Sequence, residues 1–283
     1  MTKILILDFD GTVTNAEDEG KGFREGYLED LALLTGKPYE EVVALAEKFE
    51  ADITKNPTQH GWVYNGSIVA PATVDPYLRL MPVARMILNH YECVTVESDR
   101  TRLLDAILFK YNYQKTGIVF KEEAKEVLTQ LQGEEVYIIT NSHTNPVQNK
   151  LRSLGGDHEG HPLEWLERRV YGRAKKYIVD NHFDELPESL ELPGLDRPVL
   201  LRRRIYFETL KRLREEHQAD WSDFLVVGDI FELDLALPLA LGAHIGLVTN
   251  PFTPGYEREF VQSHPKARLI DSLNEIPEYF QSL

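Results

Sequence analysis

The chain has 283 residues, 42% of them hydrophobic and 27% charged, which is typical of a globular protein with one large domain or two smaller ones. Its 46 acidic and 31 basic residues give a formal net charge of -15, which argues against a nucleic-acid scaffold, because such proteins neutralise phosphates with Lys and Arg. The single cysteine, Cys93, excludes an intrachain disulfide, and no apolar run suits a signal peptide or a membrane span, so we expect a cytoplasmic protein without a membrane partner.

The first predicted element is a strand at Lys3–Leu7, an apolar run that stops at an acidic turn containing Gly11. Residues 16–115 follow with apolar residues at helical spacing and no clear buried-strand run. The predicted helices of this segment are Phe23–Leu34, Tyr39–Phe49, Tyr77–Leu88 and Arg102–Phe109, and a predicted loop covers Thr54–Asp75. We expect residues 16–115 to form a helical cap inserted into a core built from residues 1–15 and 116–283.

Strands and helices alternate through the rest of the chain. The predicted strands, each ending at a polar turn, are Val136–Ile139, Phe224–Val227 and Ala243–Val248. The predicted helices are Phe120–Leu131, Pro146–Leu154, Ile205–Glu216 and Leu233–Leu241. This alternation predicts an α/β fold with a Rossmann-like, doubly wound parallel sheet covered by helices on both faces. Ligands bind such sheets beyond the carboxyl ends of the strands, which is where Asp8, Thr140 and Asp229 fall.

Asp8 and Asp10 directly follow the first strand and would point to opposite faces if the strand continued. Gly11 allows the chain to leave the strand, because glycine tolerates backbone angles that other residues avoid, so both carboxylates can reach one pocket. Like charges this close raise a pKa or require a cation, and hard divalent cations take oxygen ligands from carboxylates and carbonyls. The alternative is a polar loop in which aspartate only favours the turn.

Two further segments end at the same edge of the predicted sheet. Asp229 follows a strand and can complete a cation site. Asp234, one turn into the next helix, can ligate the cation or orient a water molecule, or it can simply favour the helix N-terminus. Thr140 and Asn141 precede a helix, where they can hold phosphoryl oxygens or form an ordinary N-cap.

Together these segments resemble the motifs of the haloacid dehalogenase superfamily of hydrolases. The first motif, Asp-x-Asp-Gly-Thr, stands at Asp8–Thr12. The second, an apolar strand ending in Thr, stands at Val136–Thr140, and the fourth, Gly-Asp followed by a further Asp, stands at Gly228–Asp234. These three motifs occur in the family's order and span most of the chain. The insertion after the first strand is similar to the family's helical cap.

The family's third motif is a basic residue ahead of the helix that leads to the fourth motif. The Lys-Pro pair common at this point is missing here. We predict Arg203, at the start of the Ile205–Glu216 helix, as the catalytic cation, and Lys176 as a substrate contact. The alternatives to Arg203 are Arg202, Arg204, Lys175 and Lys176, of which the two lysines are expected on a strand.

The resemblance implies a magnesium-dependent phosphatase that acts on a small phosphorylated metabolite. Asp8 would form an aspartyl-phosphate, and Asp10 would protonate the leaving oxygen and then activate water. The expected ligands of Mg²⁺ are Asp8, Asp229, Asp234 and the carbonyl of Asp10. The expected contacts of the phosphoryl group and substrate are Thr12, Thr140, Asn141, Lys176 and Arg203.

Asp10 favours phosphate esters over carbon–halogen bonds, since an alkoxide leaving group needs a general acid and a halide does not. Two alternatives stay open at this point. One is a phosphomutase with the same pair of aspartates. The other is a non-enzymatic phospho-acceptor switch similar to response-regulator receivers, although receivers are smaller and lack a long helical insertion.

Overall fold

The computed structural model describes residues 2–112 and 115–283, which divide into two compact units. The core unit comprises Met1–Asn15, Val63–Ala70 and Phe120–Leu283, and the helical unit comprises Ala16–Trp62 and Pro71–Val119. These bounds differ from the expected single cap at 16–115, because the segment Val63–Ala70 groups with the core. The carbonyl of Val69 accepts a hydrogen bond from the guanidinium of Arg203, at 2.9 Å.

Strands of the described residues form one parallel sheet and two short antiparallel pairs. In chain order they are β1 (Ile4–Leu7), β2 (Gly61–Tyr64), β3 (Ser67–Pro71), β4 (Glu135–Ile139), β5 (Val170–Tyr171), β6 (Ser189–Leu190), β7 (Val199–Leu200), β8 (Phe224–Gly228), β9 (His244–Val248) and β10 (Ala267–Ile270). Six of them build the sheet in the order β10-β9-β8-β1-β4-β5, and every pairing in it is parallel.

Helices cover this sheet and make up most of the helical unit. Those of the helical unit are α1 (Ala16–Thr35), α2 (Tyr39–Lys55), α3 (Pro76–His90) and α4 (Glu97–Asn112). Those of the core unit are α5 (Ala124–Gln130), α6 (Thr144–Gly155), α7 (Glu164–Glu167), α8 (Arg204–His217), α9 (Ala236–Leu241), α10 (Gly255–Ser263) and α11 (Glu275–Gln281). No helix in the described part of the chain is long and apolar enough to cross a membrane.

Strand β1 lies in the middle of the sheet and is fully buried. Its side chains alternate between two hydrophobic clusters: Ile4 and Ile6 belong to one, and Leu5 and Leu7 to the other. Both faces of the sheet are therefore packed, which is why the strand is a continuous apolar run in the sequence. The expected α/β, Rossmann-like architecture is confirmed.

The register of the sheet determines where the candidate site lies. Leu7, the last residue of β1, is level with Ile138 in β4 and with Val227 in β8. The polar residues that follow these three strands therefore emerge side by side at one edge of the sheet, as expected for a parallel arrangement.

The predicted loop at Thr54–Asp75 was wrong in part, because it contains β2 and β3, which pair as a hairpin. Its two-residue turn, Asn65-Gly66, has positive φ at both positions, 48° and 80°. Asn-Gly is the pair that such turns prefer, since both central residues must adopt left-handed backbone angles. β2 has four residues and β3 has five, and no residue of β2 is buried, so the pair lacks the long buried apolar run on which the prediction relied.

Candidate active site

Three buried carboxylates meet at the carboxyl edge of the sheet. Asp8 follows β1, Asp229 follows β8, and Asp234 lies on the next turn of the chain. One oxygen of each lies within 4.8 Å of the others, and all three side chains are buried. The structure thus brings together three of the four residues expected around a metal.

Two glycines allow this approach. Gly11 has a φ of +84°, and a Cβ at this position would lie 2.2 Å from Oδ2 of Asp229. At Gly228, a Cβ would lie 2.5 Å from Cβ of Asp234. Each glycine therefore gives one carboxylate of the cluster the space that any other residue would occupy.

Asp234 sits on a π-helical turn, Phe231–Leu235, rather than on the regular helix expected at this point. One of its oxygens accepts the backbone N–H of Ile230 at 3.1 Å, and its own carbonyl accepts the hydroxyl of Tyr206 at 2.9 Å. Glu232, fully buried on the same turn, forms a bidentate ion pair with Arg197 at 2.6 and 2.7 Å. Turns of this kind are rare and often mark functional sites. Here Ile230 and Tyr206 hold Asp234, and Arg197 holds the neighbouring Glu232.

Lys176 is the cation of the cluster. Its ammonium donates to Oδ1 of Asp8 at 2.7 Å and to Oδ1 of Asp234 at 2.8 Å, and its side chain is 1% exposed. Burial alone would lower the pKa of Lys176, but Asp234 and Asp8 outweigh it and raise that pKa above its ordinary value. Lys176 is therefore a permanent positive charge at the site.

The choice of Arg203 as the catalytic cation is corrected by this geometry. Its guanidinium is fully buried and donates to three backbone carbonyls, those of Leu200, Lys176 and Val69. Burial lowers the pKa of Arg203 to about 10, so the group stays charged. Arg203 holds the chain segment that carries Lys176, because one of the three carbonyls it binds is that of Lys176 itself.

The other candidate cations also point away from the carboxylates. Arg202 donates to the carbonyls of Asn181 and Leu186, and Arg204 pairs with Glu208 at the surface. Lys175 is exposed, and the two lysines follow β5 in a loop rather than on a strand. Loop position explains the error, since the sequence spacing of a loop does not indicate which side chain turns toward the sheet.

Asp10 lies next to the cluster without joining it through its side chain. Its Oδ2 accepts the Ser142 hydroxyl at 2.6 Å, and its Oδ1 accepts the Lys150 ammonium at 3.0 Å. The Asp10 side chain is 32% exposed, whereas that of Asp8 is 11% exposed. Neither Ser142 nor Lys150 was predicted. Ser142 lies in the polar turn after β4, and Lys150 occupies an ordinary polar position of α6 that nothing in the sequence distinguishes.

The three hydroxyl and amide residues predicted to contact substrate all lie at this edge. Thr12 is buried and its hydroxyl is 3.4 Å from Oδ2 of Asp8. The Thr140 hydroxyl accepts the backbone N–H of Ser142 at 3.1 Å, and the side-chain oxygen of Asn141 accepts the backbone N–H of Lys176 at 2.8 Å. Asn141 thus joins the turn after β4 to the loop that carries Lys176.

The charge and chemistry of the cluster fit a divalent cation. Three buried carboxylates lie close together, Lys176 contacts two of them, and their oxygens are the ligand atoms that Mg²⁺ prefers. Burial, together with Asp234 and Asp10, raises the pKa of Asp8 to about 7 despite the opposing effect of Lys176. Further positive charge at this point would favour the ionised form of Asp8.

His158 and His161, which lie in a loop near the C-terminal end of α6, form no metal site. His161 is buried, its Nε2 lies 2.6 Å from Glu167, and its Nδ1 accepts the backbone N–H of Leu163. Both ring nitrogens of His161 have partners within the fold, so this histidine has a structural role.

Comparisons with known proteins show the family of this chain and agree with its fold. A model of the family described as haloacid dehalogenase-like hydrolase matches residues 2–242. A structure from Haemophilus somnus, described as a predicted phosphoglycolate phosphatase, is 18% identical, has a TM-score of 0.56, and is matched over 98% of this chain and 97% of its own. The HAD-hydrolase YfnB from Bacillus subtilis, bound to magnesium, is 15% identical with a TM-score of 0.54, over 99% and 98% of the two chains. A search of curated proteins found no match.

Proposed function

This chain belongs to the haloacid dehalogenase-like hydrolases, and from that premise we propose that it is a magnesium-dependent phosphatase of small phosphate monoesters. One observation carries the proposal: the two aspartates of the first motif occupy different environments. Asp8 is buried against Lys176, and Asp10 is partly exposed and bound by Ser142 and Lys150. Two neighbouring carboxyl groups held differently can serve as nucleophile and as general acid.

The proposed reaction has two steps that both use these residues. In the first, an oxygen of Asp8 attacks phosphorus, the bond from phosphorus to the ester oxygen breaks, and Asp10 gives its proton to the departing alkoxide. In the second, Asp10 takes a proton from water as that water attacks the phosphorus of the aspartyl-phosphate. Inorganic phosphate leaves, Asp8 returns as a carboxylate, and Asp10 is protonated again.

The remaining residues of the cluster have supporting roles in this proposal. Asp8, Asp229, Asp234 and the Asp10 carbonyl are the residues that would hold Mg²⁺. When bound, Mg²⁺ supplies positive charge that reduces the repulsion between a carboxylate and an incoming phosphate. Lys176 favours the ionised form of Asp8 and orients it. The charge of Lys176, with the hydroxyls of Thr12 and Thr140, would stabilise the charge that develops on the phosphoryl oxygens.

Asp10 also favours phosphate esters over carbon–halogen bonds. Ser142 and Lys150 hold the carboxyl group of Asp10 close to the nucleophile. A carboxyl group in this position is suited to protonating a leaving oxygen. A halide leaves without a proton and has no use for such a group. Phosphoglycolate belongs in the first set of substrates to be tested, because a structure with the same fold is described as a predicted phosphatase of that compound.

The proposal is tested by measuring phosphate release from a panel of metabolite phosphates with Mg²⁺, for the purified wild type and for Asp8→Asn. We expect release from at least one ester by the wild type and a loss of at least about 1,000-fold in Asp8→Asn, because the nucleophile is removed. Asp196→Asn, an exposed aspartate of the core unit, is the control and should retain full activity. Absence of release from every ester would overturn the proposal, and an isomerised sugar phosphate in place of free phosphate would indicate a mutase.

A further inference from the structure

We propose that Lys150 is a positioning residue that holds Asp10 in the orientation in which it protonates the leaving group. This inference rests on the proposed function, since it assigns a residue to the general acid of that reaction. The evidence is the set of contacts around the Asp10 carboxyl group, all of which lie within the core unit.

Lys150 reaches Asp10 from α6, a helix that packs beside the sheet. It therefore belongs to a different element from Asp10, which lies in the turn that follows β1. Its ammonium lies 3.0 Å from Oδ1 of Asp10 and 5.7 Å from the centre of the Phe9 ring. The Lys150 side chain is 15% exposed. The aromatic contact and the limited exposure restrict the directions in which this long side chain can extend.

Ser142 occupies the other oxygen of the same carboxyl group. Its hydroxyl lies 2.6 Å from Oδ2 of Asp10, and its backbone N–H donates to the hydroxyl of Thr140 at 3.1 Å. The turn after β4 therefore fixes the position of Ser142. With Lys150 on one oxygen and Ser142 on the other, the plane of the Asp10 carboxyl group is determined by two separate elements.

These two partners are chemically unequal. An ammonium group can only donate hydrogen bonds, so Lys150 holds Oδ1 of Asp10 as an acceptor. A hydroxyl group can donate or accept, so the contact of Ser142 with Oδ2 does not depend on which of the two groups donates. Lys150 thus fixes which oxygen of Asp10 faces α6, and the two contacts together restrict rotation of the carboxyl group.

The ion pair between Lys150 and Asp10 is not expected to stabilise the fold appreciably. Both partners are partly exposed, and pairs of this kind contribute little to the stability of a fold. We therefore expect that replacement of Lys150 changes the rate of proton transfer much more than the stability of the protein.

The test uses the dependence of rate on the leaving group. Three full-length proteins are compared: the wild type, Lys150→Met and Lys150→Arg. Each protein, in excess over the ester, is mixed with an alkyl phosphate such as glycerol phosphate or with 2,4-dinitrophenyl phosphate. Release of the alcohol or of the phenol is followed over one turnover. Under these conditions only the first step is observed. The dinitrophenolate leaves without protonation, whereas the alkoxide requires it.

We expect Lys150→Met to slow alcohol release by about 100-fold and phenol release by less than about 5-fold, because only the alkyl ester needs the general acid. Lys150→Arg, which keeps a donor and a charge, should restore much of the alkyl rate. Lys125→Met, an exposed lysine on α5, is the control and should alter neither rate. Unchanged urea unfolding midpoints would show that the variants are folded.

Equal losses on the two esters, or no loss on either, would overturn the role of Lys150 while leaving the phosphatase itself in place. A wild type that releases neither alcohol nor phenol would overturn the proposed function and, with it, this assignment. Ser142→Ala offers an independent check: it should also slow the alkyl ester more than the aryl ester, and equal effects would contradict the two-point support of Asp10.

Discussion

Lys176 lies between two buried carboxylates, and its removal would leave both without compensation. Breaking a buried ion pair by removing one partner is strongly destabilising. We expect Lys176→Met to lower the free energy of unfolding in metal-free buffer by about 3–5 kcal/mol. Mg²⁺ should restore part of this loss, since a divalent cation compensates the same carboxylates. Urea unfolding followed by circular dichroism measures both effects.

Lys175→Met is the matched control, because Lys175 is the exposed neighbour on the same loop. It should change the free energy of unfolding by less than about 0.5 kcal/mol. A comparable loss in both variants would show that the loop, rather than the ammonium among the carboxylates, determines the stability.

Gly11 gives a second prediction at the scale of one residue. We expect Gly11→Ala to weaken Mg²⁺ binding by at least about tenfold, because the new Cβ would displace the Asp229 carboxylate. Changes to the groups that support a metal ligand commonly reduce metal affinity by about this factor or more. Titration calorimetry with Mg²⁺ measures the affinity directly, without a substrate.

The control for Gly11→Ala is Gly66→Ala. Gly66 has nearly the same φ, +80° against +84°, but a Cβ there would meet nothing within 4 Å. Both variants therefore carry the cost of a left-handed alanine, and only Gly11→Ala adds the clash. Equal Mg²⁺ affinities for the two variants would contradict the spatial role of Gly11.

Which residues of the site could be predicted depended on what surrounds them in the sequence. Asp8 and Asp229 could be placed because each directly follows a buried apolar strand, and the ends of parallel strands meet. Lys176 could not be chosen over Arg203, since the choice depends on a loop that Arg203 itself holds through the carbonyl of Lys176. Lys150 could not be found at all, because its partner lies 140 residues away.

At the scale of elements, the buried strands and long helices of the core were predicted to within a few residues. Beyond these, the sequence analysis did not predict several shorter elements: the hairpin of β2 and β3, the strands β5, β6, β7 and β10, and the helices α7, α10 and α11. The helix expected at Leu233–Leu241 begins instead as a π-helical turn. Periodicity could not reveal that turn, because long-range hydrogen bonds hold it: that of Tyr206 to Asp234 and that of Arg197 to Glu232.

Helix α10 carries a buried glutamate, Glu257, whose protonation makes the stability of the fold depend on pH. Both side-chain oxygens of Glu257 lack a hydrogen-bond partner among the described residues, and the side chain is fully buried. Burial, and next the nearby Glu232, raise the pKa of Glu257 well above its ordinary value, although Arg197 opposes them. The folded protein therefore keeps a proton on Glu257 that the unfolded chain releases.

The sign of the pH dependence follows from this uptake of a proton on folding. Above about pH 4.5, where an ordinary glutamate ionises, the unfolded chain binds fewer protons, so the free energy of unfolding should fall as pH rises toward the folded-state pKa. Glu257→Gln cannot ionise and should reduce this decline between about pH 5 and pH 8. Urea midpoints at several pH values measure it.

Glu259→Gln is the control for Glu257→Gln, because Glu259 is exposed on the same helix. It should leave the pH profile of the wild type unchanged. A decline of the same size in wild type and Glu257→Gln would mean that other groups are responsible.

For the whole molecule, we expect metal binding at the carboxylate cluster to be coupled to folding. The three carboxylates come from the turn after β1, from the turn after β8 and from the π-helical turn, so the unfolded chain cannot hold them together. We expect Mg²⁺ at 100 times its dissociation constant to raise the free energy of unfolding by about 2.7 kcal/mol, and chelation to remove the gain. Asp229→Asn should lose most of it, whereas Asp196→Asn should keep it. Equal stabilisation of both variants would place Mg²⁺ elsewhere.

The central place of β1 in the sheet has a consequence for how the protein is made. Ile4 pairs with Glu135 on one side and with Phe224 on the other, and the helical unit lies along the chain between Ile4 and both of these partners. During synthesis β1 leaves the ribosome long before β8 exists, so it must wait unpaired while α1 to α4 can already fold on local contacts. Asp8 is therefore among the first residues of the site to be made, and its environment is among the last to be completed.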